Sequence, residues 1–253
     1  MELFDMIFKE FGNINAPTII LLHGGGLSYW SWEGVISFLT PEFHVVTPIL
    51  DGYGDNANKT FVSIEDSADQ VINYVKEQYN GHIFAIGGLS IGAQIVTEVL
   101  SQNANISDFA VIEGALVCPI WGTKFLAVPM CKLSYGLIRK RWFSKLQAKQ
   151  LCVPDALFER YYTESIGISK QTLVNTILSN GTYKMKEEIK KTSAKVLVIV
   201  GEKEITVMQK SALMLHRAIP NSHLYIAPNM KHGELSLTQP EQYVEQLKQL
   251  FSQ

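Results

Sequence analysis

His82-Ile83-Phe84-Ala85-Ile86, a mostly apolar run, leads into Gly88-Leu89-Ser90-Ile91-Gly92 and then into Ala93-Gln94-Ile95-Val96-Thr97-Glu98-Val99-Leu100. The first run suits a buried strand and the last a helix, so the chain must turn sharply between them. Glycines at both ends of the G-x-S-x-G pattern allow strand and helix to pass close together. A serine at the centre of such a turn is held in a strained backbone conformation with its hydroxyl exposed above the sheet. Ser90 is therefore read as a presented nucleophile.

Further continuous apolar runs lie on either side: Thr18–Leu22, Val45–Leu50, Phe109–Ile112, Val196–Val200 and His223–Ala227. Runs without polar alternation suit strands covered on both faces, and helical patterns separate them. One of these, Ser63 to Tyr79, opens with a capping-box-like Ser63-x-x-Asp66 and stops before Asn80-Gly81. The expected class is α/β, a mostly parallel central sheet with helices on both faces. The rhythm breaks between Val117 and Lys191, where prolines, aromatics and helical patterns occur without a convincing strand. That reading divides the chain into a core, residues 1–116 and 192–253, and an inserted helical cap, residues 117–191.

Composition narrows the partners. The chain has 253 residues, 47% hydrophobic and 18% charged, which suits a single substantial core. A formal net charge of -2 leaves no global basic field for nucleic acid or an anionic membrane. Met1 to Glu10 carries acids where an export signal needs a basic start, and no apolar run approaches a membrane span. Cys118, Cys131 and Cys152 lack C-x-x-C spacing and nearby histidines, so they read as free thiols in a reducing cytoplasm, with no metal. Arg139-Lys140-Arg141-Trp142 reads as a solvated helix face, and Trp121 to Met130 as an apolar segment roofing a substrate pocket. The expected partner is a small-molecule acyl substrate, and the expected state a monomer or homodimer.

A serine nucleophile requires a base, an acid that orients the base, and hydrogen-bond donors where an oxyanion forms. His23-Gly24-Gly25-Gly26 follows the first long apolar run, and its glycines let backbone N–H groups approach a substrate. Gly25 and Ile91, the latter at the start of the helix after Ser90, are the candidate oxyanion donors. The glycine run lacks both phosphate-loop and dinucleotide-binding spacing. Tyr29, Trp30 and Trp32 after it are read as packing residues.

These motifs resemble the α/β-hydrolase family. His23-Gly24-Gly25-Gly26 is similar to the family's loop after its third strand, Asp51-Gly52-Tyr53-Gly54 to the turn after its fourth, and Gly88-Leu89-Ser90-Ile91-Gly92 to its nucleophile elbow. The resemblance implies a triad in the order serine, acid, histidine. It places the acid at Glu204, in Gly201-Glu202-Lys203-Glu204, where the family more often has aspartate, with Glu202 and Glu113 as alternatives. It places the histidine at His232, in the loop after the last strand, and assigns His23 to bracing the oxyanion loop. It also implies fewer leading strands than the family's eight. The expected activity is hydrolysis of a small ester or related acyl bond through an acyl-enzyme, without cofactor or metal. A lyase on the same fold and a non-turnover receptor that retains the triad are the other outcomes. Serine in place of aspartate at the elbow argues against the dehalogenase and epoxide-hydrolase branches.

Overall fold

A computed structural model describes residues 6–252, apart from the side chains of residues 127, 132 and 134. The reading of Met1 to Asp5 as part of an acidic, non-signal start lies outside the described residues. Seven strands form one sheet: β1 (Ile7–Phe11), β2 (Thr18–Leu22), β3 (His44–Ile49), β4 (Ile83–Leu89), β5 (Ser107–Glu113), β6 (Lys195–Gly201) and β7 (Ser222–Ala227). Their spatial order is β1-β3-β2-β4-β5-β6-β7, and every pair is parallel except β1 with β3.

Alternation along the strands divides the interior into two layers, since successive side chains point to opposite faces. Ile20, Leu22, Ile86, Val196 and Val198 face one layer, which they share with α2 (Ile64–Tyr79), α3 (Ile91–Gln102) and α8 (Thr206–Ala218). Ile19, Leu21, Ala85, Leu197 and Ile199 face the other, with α1 (Glu33–Leu39) and α10 (Pro240–Phe251). Burial on both faces is why the strand sequences are continuously apolar. Strand β7, at one edge, escapes that rule, with Ile226 54% exposed and only Ala227 buried, and so does β1 at the other. Its residues are partly buried or exposed, with Lys9 and Glu10 among them, because it is an antiparallel edge strand covering β3. For this reason β1 was not among the apolar runs of the sequence, and the described residues hold seven strands.

Helix α2 begins where its cap motif places it. The Ser63 side chain accepts a hydrogen bond from the Asp66 N–H at 3.1 Å. The Asp66 carboxylate instead accepts from Gln70, so only half of a capping box forms. The helix ends through left-handed Asn80 (φ 54°) and Gly81 (φ 87°).

Between β5 and β6 lie four helices, α4 (Thr123–Ser134), α5 (Arg141–Gln150), α6 (Phe158–Ser165) and α7 (Lys170–Thr182), with no strand. The last of these helices runs into Tyr183 and Lys186, which are tied to the buried Glu98 of α3. Trp121, Phe125 and Leu133 are 94%, 81% and 87% exposed, so the segment from Trp121 to Met130 does not roof a pocket as expected. Trp121, Phe125, Leu126 and Met130 all face outward. The short α9 (Glu234–Thr238) precedes α10. Among the described residues no helix is long and apolar enough to cross a membrane.

Candidate active site

The sheet order reverses between β2 and β4: the chain leaves β2 toward β3 on one side and later returns to β4 on the other. In open parallel sheets a crevice forms at such a switch, outside the C-terminal ends of the strands. Here it is bordered by His23-Gly24-Gly25 after β2 and Ser90-Ile91 after β4.

Ser90 has φ 57° and ψ -116°, a conformation that costs a residue with a side chain about 1–3 kcal/mol. Its surroundings hold it there. The Ser90 N–H donates to the Glu113 carbonyl at 2.8 Å, and its own carbonyl accepts from Gln94 at 3.0 Å. A Cβ on Gly88 would lie 2.4 Å from the Gly92 backbone, and one on Gly92 would lie 2.4 Å from the Leu22 carbonyl. Both glycines are thus required for strand, turn and helix to stack this closely.

The loop after β7 brings His232 over Ser90. The Ser90 hydroxyl and His232 Nε2 are 2.9 Å apart, and His232 Nδ1 is 2.7 Å from Glu204 Oε2. An ionised carboxylate only accepts, so Nδ1 carries the proton and Nε2 is left to accept from the serine. The second Glu204 oxygen accepts the Gly201 N–H at 3.0 Å, which fixes the carboxylate. Burial lowers the basicity of His232, but the hydrogen bond and charge of Glu204, with the charge of Glu113 behind, outweigh it and leave the imidazole above its ordinary value. Gly114 (φ 63°) makes room for the ring, since a Cβ there would sit 2.8 Å from His232 Cε1.

The alternatives are placed elsewhere. Glu202 is exposed and accepts the Asn229 N–H at 2.7 Å. Glu113 is 1% exposed, and its carboxyl accepts a long, 3.4 Å hydrogen bond from the Ser236 N–H at Oε1 while Oε2 has no partner among the described residues. Burial pushes its carboxyl up to about 7.

His23 is fully buried. It accepts the Leu50 N–H at Nε2 (3.1 Å) and is 2.9 Å from the Gly24 carbonyl through Nδ1, which must therefore carry the proton. Burial depresses its basicity to about 4, so it is a neutral clamp between the ends of β2 and β3. With the Gly24 carbonyl engaged on that side, planarity of the peptide turns the Gly25 N–H the opposite way. Gly25 and Ile91 line one cavity with Ser90 and His232, and neither N–H has a partner among the described residues.

That cavity measures about 390 Å³ and runs beneath α5, α6 and α7. Its walls include Tyr53, Leu151, Tyr161, Ile168 and Thr176, and the Tyr53 hydroxyl lies 2.6 Å from Thr176 Oγ1. A second cavity of about 560 Å³ opens on the Glu204 side. The two share Ser90, Gln150, Asn180 and His232. Leu151, Tyr161, Ile168, Thr176, Gln150 and Asn180 were not singled out in the sequence, whereas Tyr53 stands in the Asp51-Gly52-Tyr53-Gly54 turn. Trp30 and Trp32 are buried in the core as expected. All three cysteines are free, and no cluster of three His, Cys, Asp or Glu residues suited to a metal occurs among the described residues.

A profile of the alpha/beta hydrolase family matches residues 19–246, from β2 through α10. The chain belongs to the alpha/beta hydrolase family. Among curated alpha/beta hydrolases it is similar to a pimeloyl-[acyl-carrier protein] methyl ester esterase of Nitrosomonas europaea, with 22% identity over 91% of this chain and 94% of that protein. A protein of the same name from Yersinia enterocolitica is 25% identical over 89% of each chain. Among solved structures, the fold matches a bromoperoxidase from Bacillus anthracis with a TM-score of 0.82, at 18% identity and covering 98% of this chain and 95% of that one. An esterase from Exiguobacterium antarcticum matches with a TM-score of 0.80, at 16% identity and covering 98% and 96%.

Proposed function

We propose that this alpha/beta hydrolase cleaves carboxylic esters by acyl transfer through Ser90, with residues 117–191 serving as the cap over the acyl site. The observation that carries the reading is the continuous chain from Ser90 through His232 to Glu204, at 2.9 and 2.7 Å, ending in a cavity bordered by two free backbone N–H groups. The names of the curated relatives support an ester substrate.

In this mechanism His232 Nε2 takes the Ser90 proton as Oγ attacks the ester carbonyl. The oxyanion of the tetrahedral intermediate is held by the N–H groups of Gly25 and Ile91. Glu204 stabilises the imidazolium without taking its proton. Collapse of the intermediate breaks the acyl–oxygen bond, and His232 gives the proton to the departing alcohol. Water then repeats the sequence on the acyl-Ser90 ester, releasing the acid and regenerating the serine.

An activated fluorophosphonate tests the reading. It should label Ser90 alone, and Ser90→Ala and His232→Ala should each lower kcat on an ester panel about 10³-fold or more, with little further loss in the double variant. Peptide mapping that places the adduct elsewhere, or additive losses in the double variant, would exclude a shared serine–histidine step. Turnover without a trappable acyl-enzyme would indicate the lyase chemistry instead.

A further inference from the structure

Because Ser90 and His232 line both cavities, a substrate whose reacting carbonyl sits at Ser90 extends one half into each. The walls of the second chamber are unlike those of the first. Leu116, Ile120, Val207 and Met208 line the second together with Lys203, Glu204 and Lys231, and Lys231 also borders a neighbouring cavity beside Cys152 and Glu234. Each lysine is anchored through its backbone. Lys203 N–H donates to the Met230 carbonyl at 2.9 Å, and Lys231 N–H donates to Glu234 Oε2 at 2.8 Å. The first bond ties the loop after β6 to the loop after β7, the second fixes the end of that latter loop on α9, and both residues border one cavity.

Neither ammonium pairs with a carboxylate among the described residues, whereas Lys9, Lys186 and Lys248 each do. The acids beside them in the sequence are occupied: Glu202 by the Asn229 N–H, Glu204 by His232 and the Gly201 N–H, and Glu234 by the Lys231 N–H. Long lysine stems cover apolar surface while their heads remain available at its rim. An apolar passage leading from the nucleophile to two uncommitted cations suits a short methylene chain ending in an anion.

We infer that the second chamber binds the anionic end of the substrate, a carboxylate or phosphate held by Lys203 and Lys231 several bonds from the ester. The inference rests on the ester-hydrolase reading and names the substrate class of that site. Two exposed ion pairs provide about a tenfold preference over a neutral group of equal length.

The test compares matched esters. Monomethyl esters of C4 to C8 dicarboxylic acids, set against the dimethyl esters, place the anion on the acyl half. Butyryl esters of glycolate and of 2-phosphoethanol, set against ethyl butyrate, place a carboxylate or a phosphate on the alcohol half. At least one anionic member should exceed its neutral partner about tenfold in kcat/KM. That ratio should collapse toward one in Lys203→Met/Lys231→Met, persist in Lys203→Arg/Lys231→Arg, and shrink in 0.5 M salt. A ratio unmoved by the methionine pair, or a preference for the neutral ester in every set, overturns the inference while leaving the hydrolase intact. Calorimetry of glutarate or adipate, and of butyryl phosphoethanol, with Ser90→Ala separates the two claims. Lysine-dependent binding without turnover of any ester by the parent enzyme would preserve the anion site and refute the hydrolase.

Discussion

In the proposed mechanism His232 carries the proton, and its basicity is raised by Glu204 against the cost of burial. With the imidazole raised above its ordinary 6.5, the acid limb of kcat/KM should have its midpoint above that value. The rate should fall as pH drops through the limb, because a protonated ring cannot accept the Ser90 proton. Glu204→Gln removes the charge and leaves burial dominant. The limb should then move to lower pH while kcat falls about 10²- to 10⁴-fold, since an amide cannot stabilise the imidazolium and admits the wrong tautomer. A pH–rate profile of the variant with near-parental kcat and an unmoved limb would contradict the pairing. Ser90 could be named before the structure because it stands in a strand–turn–helix pattern with a known geometric consequence, and Glu204, with Glu202 and Glu113 as alternatives, and His232 because the resemblance to the family places an acid and a histidine after the last two strands. The residues around them had no such signal. Gln150, Asn180 and Thr176 reach the cavity only through the packing of α5 and α7, which no local spacing announces.

At the level of elements, the site depends on how closely α3 approaches β2. Gly92 lies against the Leu22 and His23 carbonyls, with virtual Cβ distances of 2.4 and 2.7 Å, and the same backbone carries the loop that holds Gly25. Gly92→Ala should therefore push α3 away from β2 and separate the N–H groups of Gly25 and Ile91. Overpacking of this kind costs about 1–3 kcal/mol. Thermal melts should show that loss, and kcat should drop more than KM rises, because the displaced donors act on the oxyanion. Gly136→Ala is the matched control, with no atom within 4 Å of its virtual Cβ. If both variants melt and turn over alike, close packing at the turn is not what holds the donors. Strands β2 to β6 were legible for the reason that makes them central, their coverage on both faces, whereas β7 lies at the sheet edge with Ile226 54% exposed and was legible from its apolar run alone. Strand β1 was not, because an edge position lets Lys9 and Glu10 interrupt the apolar pattern. The outward face of α4 misled for a related reason: an apolar helical stretch reads the same whether it faces a pocket or solvent.

For the whole molecule, Glu113 links the site to stability. Its folded carboxyl titrates near 7, against 4.5 for an ordinary glutamate. As pH rises from about 4.5 to about 7 the unfolded chain releases this proton while the folded chain retains it, so stability declines across that window and stays lower above it. The deficit is at most about 3 kcal/mol. Glu113→Gln should raise the melting temperature at pH 8 and change it little near pH 4.5, as denaturation scans across pH would show. A gap that stays constant, or narrows with rising pH, would mean that Glu113 is not held neutral. The α/β class was legible across almost the entire chain, since it follows from the alternation of strand and helix patterns. The chambers were not, because the first lies between the strand ends and helices α5 to α7, and the second among the loops after β5, β6 and β7 and the start of α8, so neither belongs to one element alone.

The insertion between β5 and β6 also sets an order in time. Ser90 and His232 are 142 residues apart, so at about 5–20 residues per second the serine emerges from the ribosome on the order of 7–28 s before the histidine. Through that interval the turn, its helix and the helices of residues 117–191 can already be present. A serine that draws its reactivity from His232 remains inert until β6 and β7 have added to the sheet edge beside β5. On the proposed mechanism reactivity thus arrives with the last strand, and a nascent chain carries no activated nucleophile that could be acylated before the helices of residues 117–191 are in place.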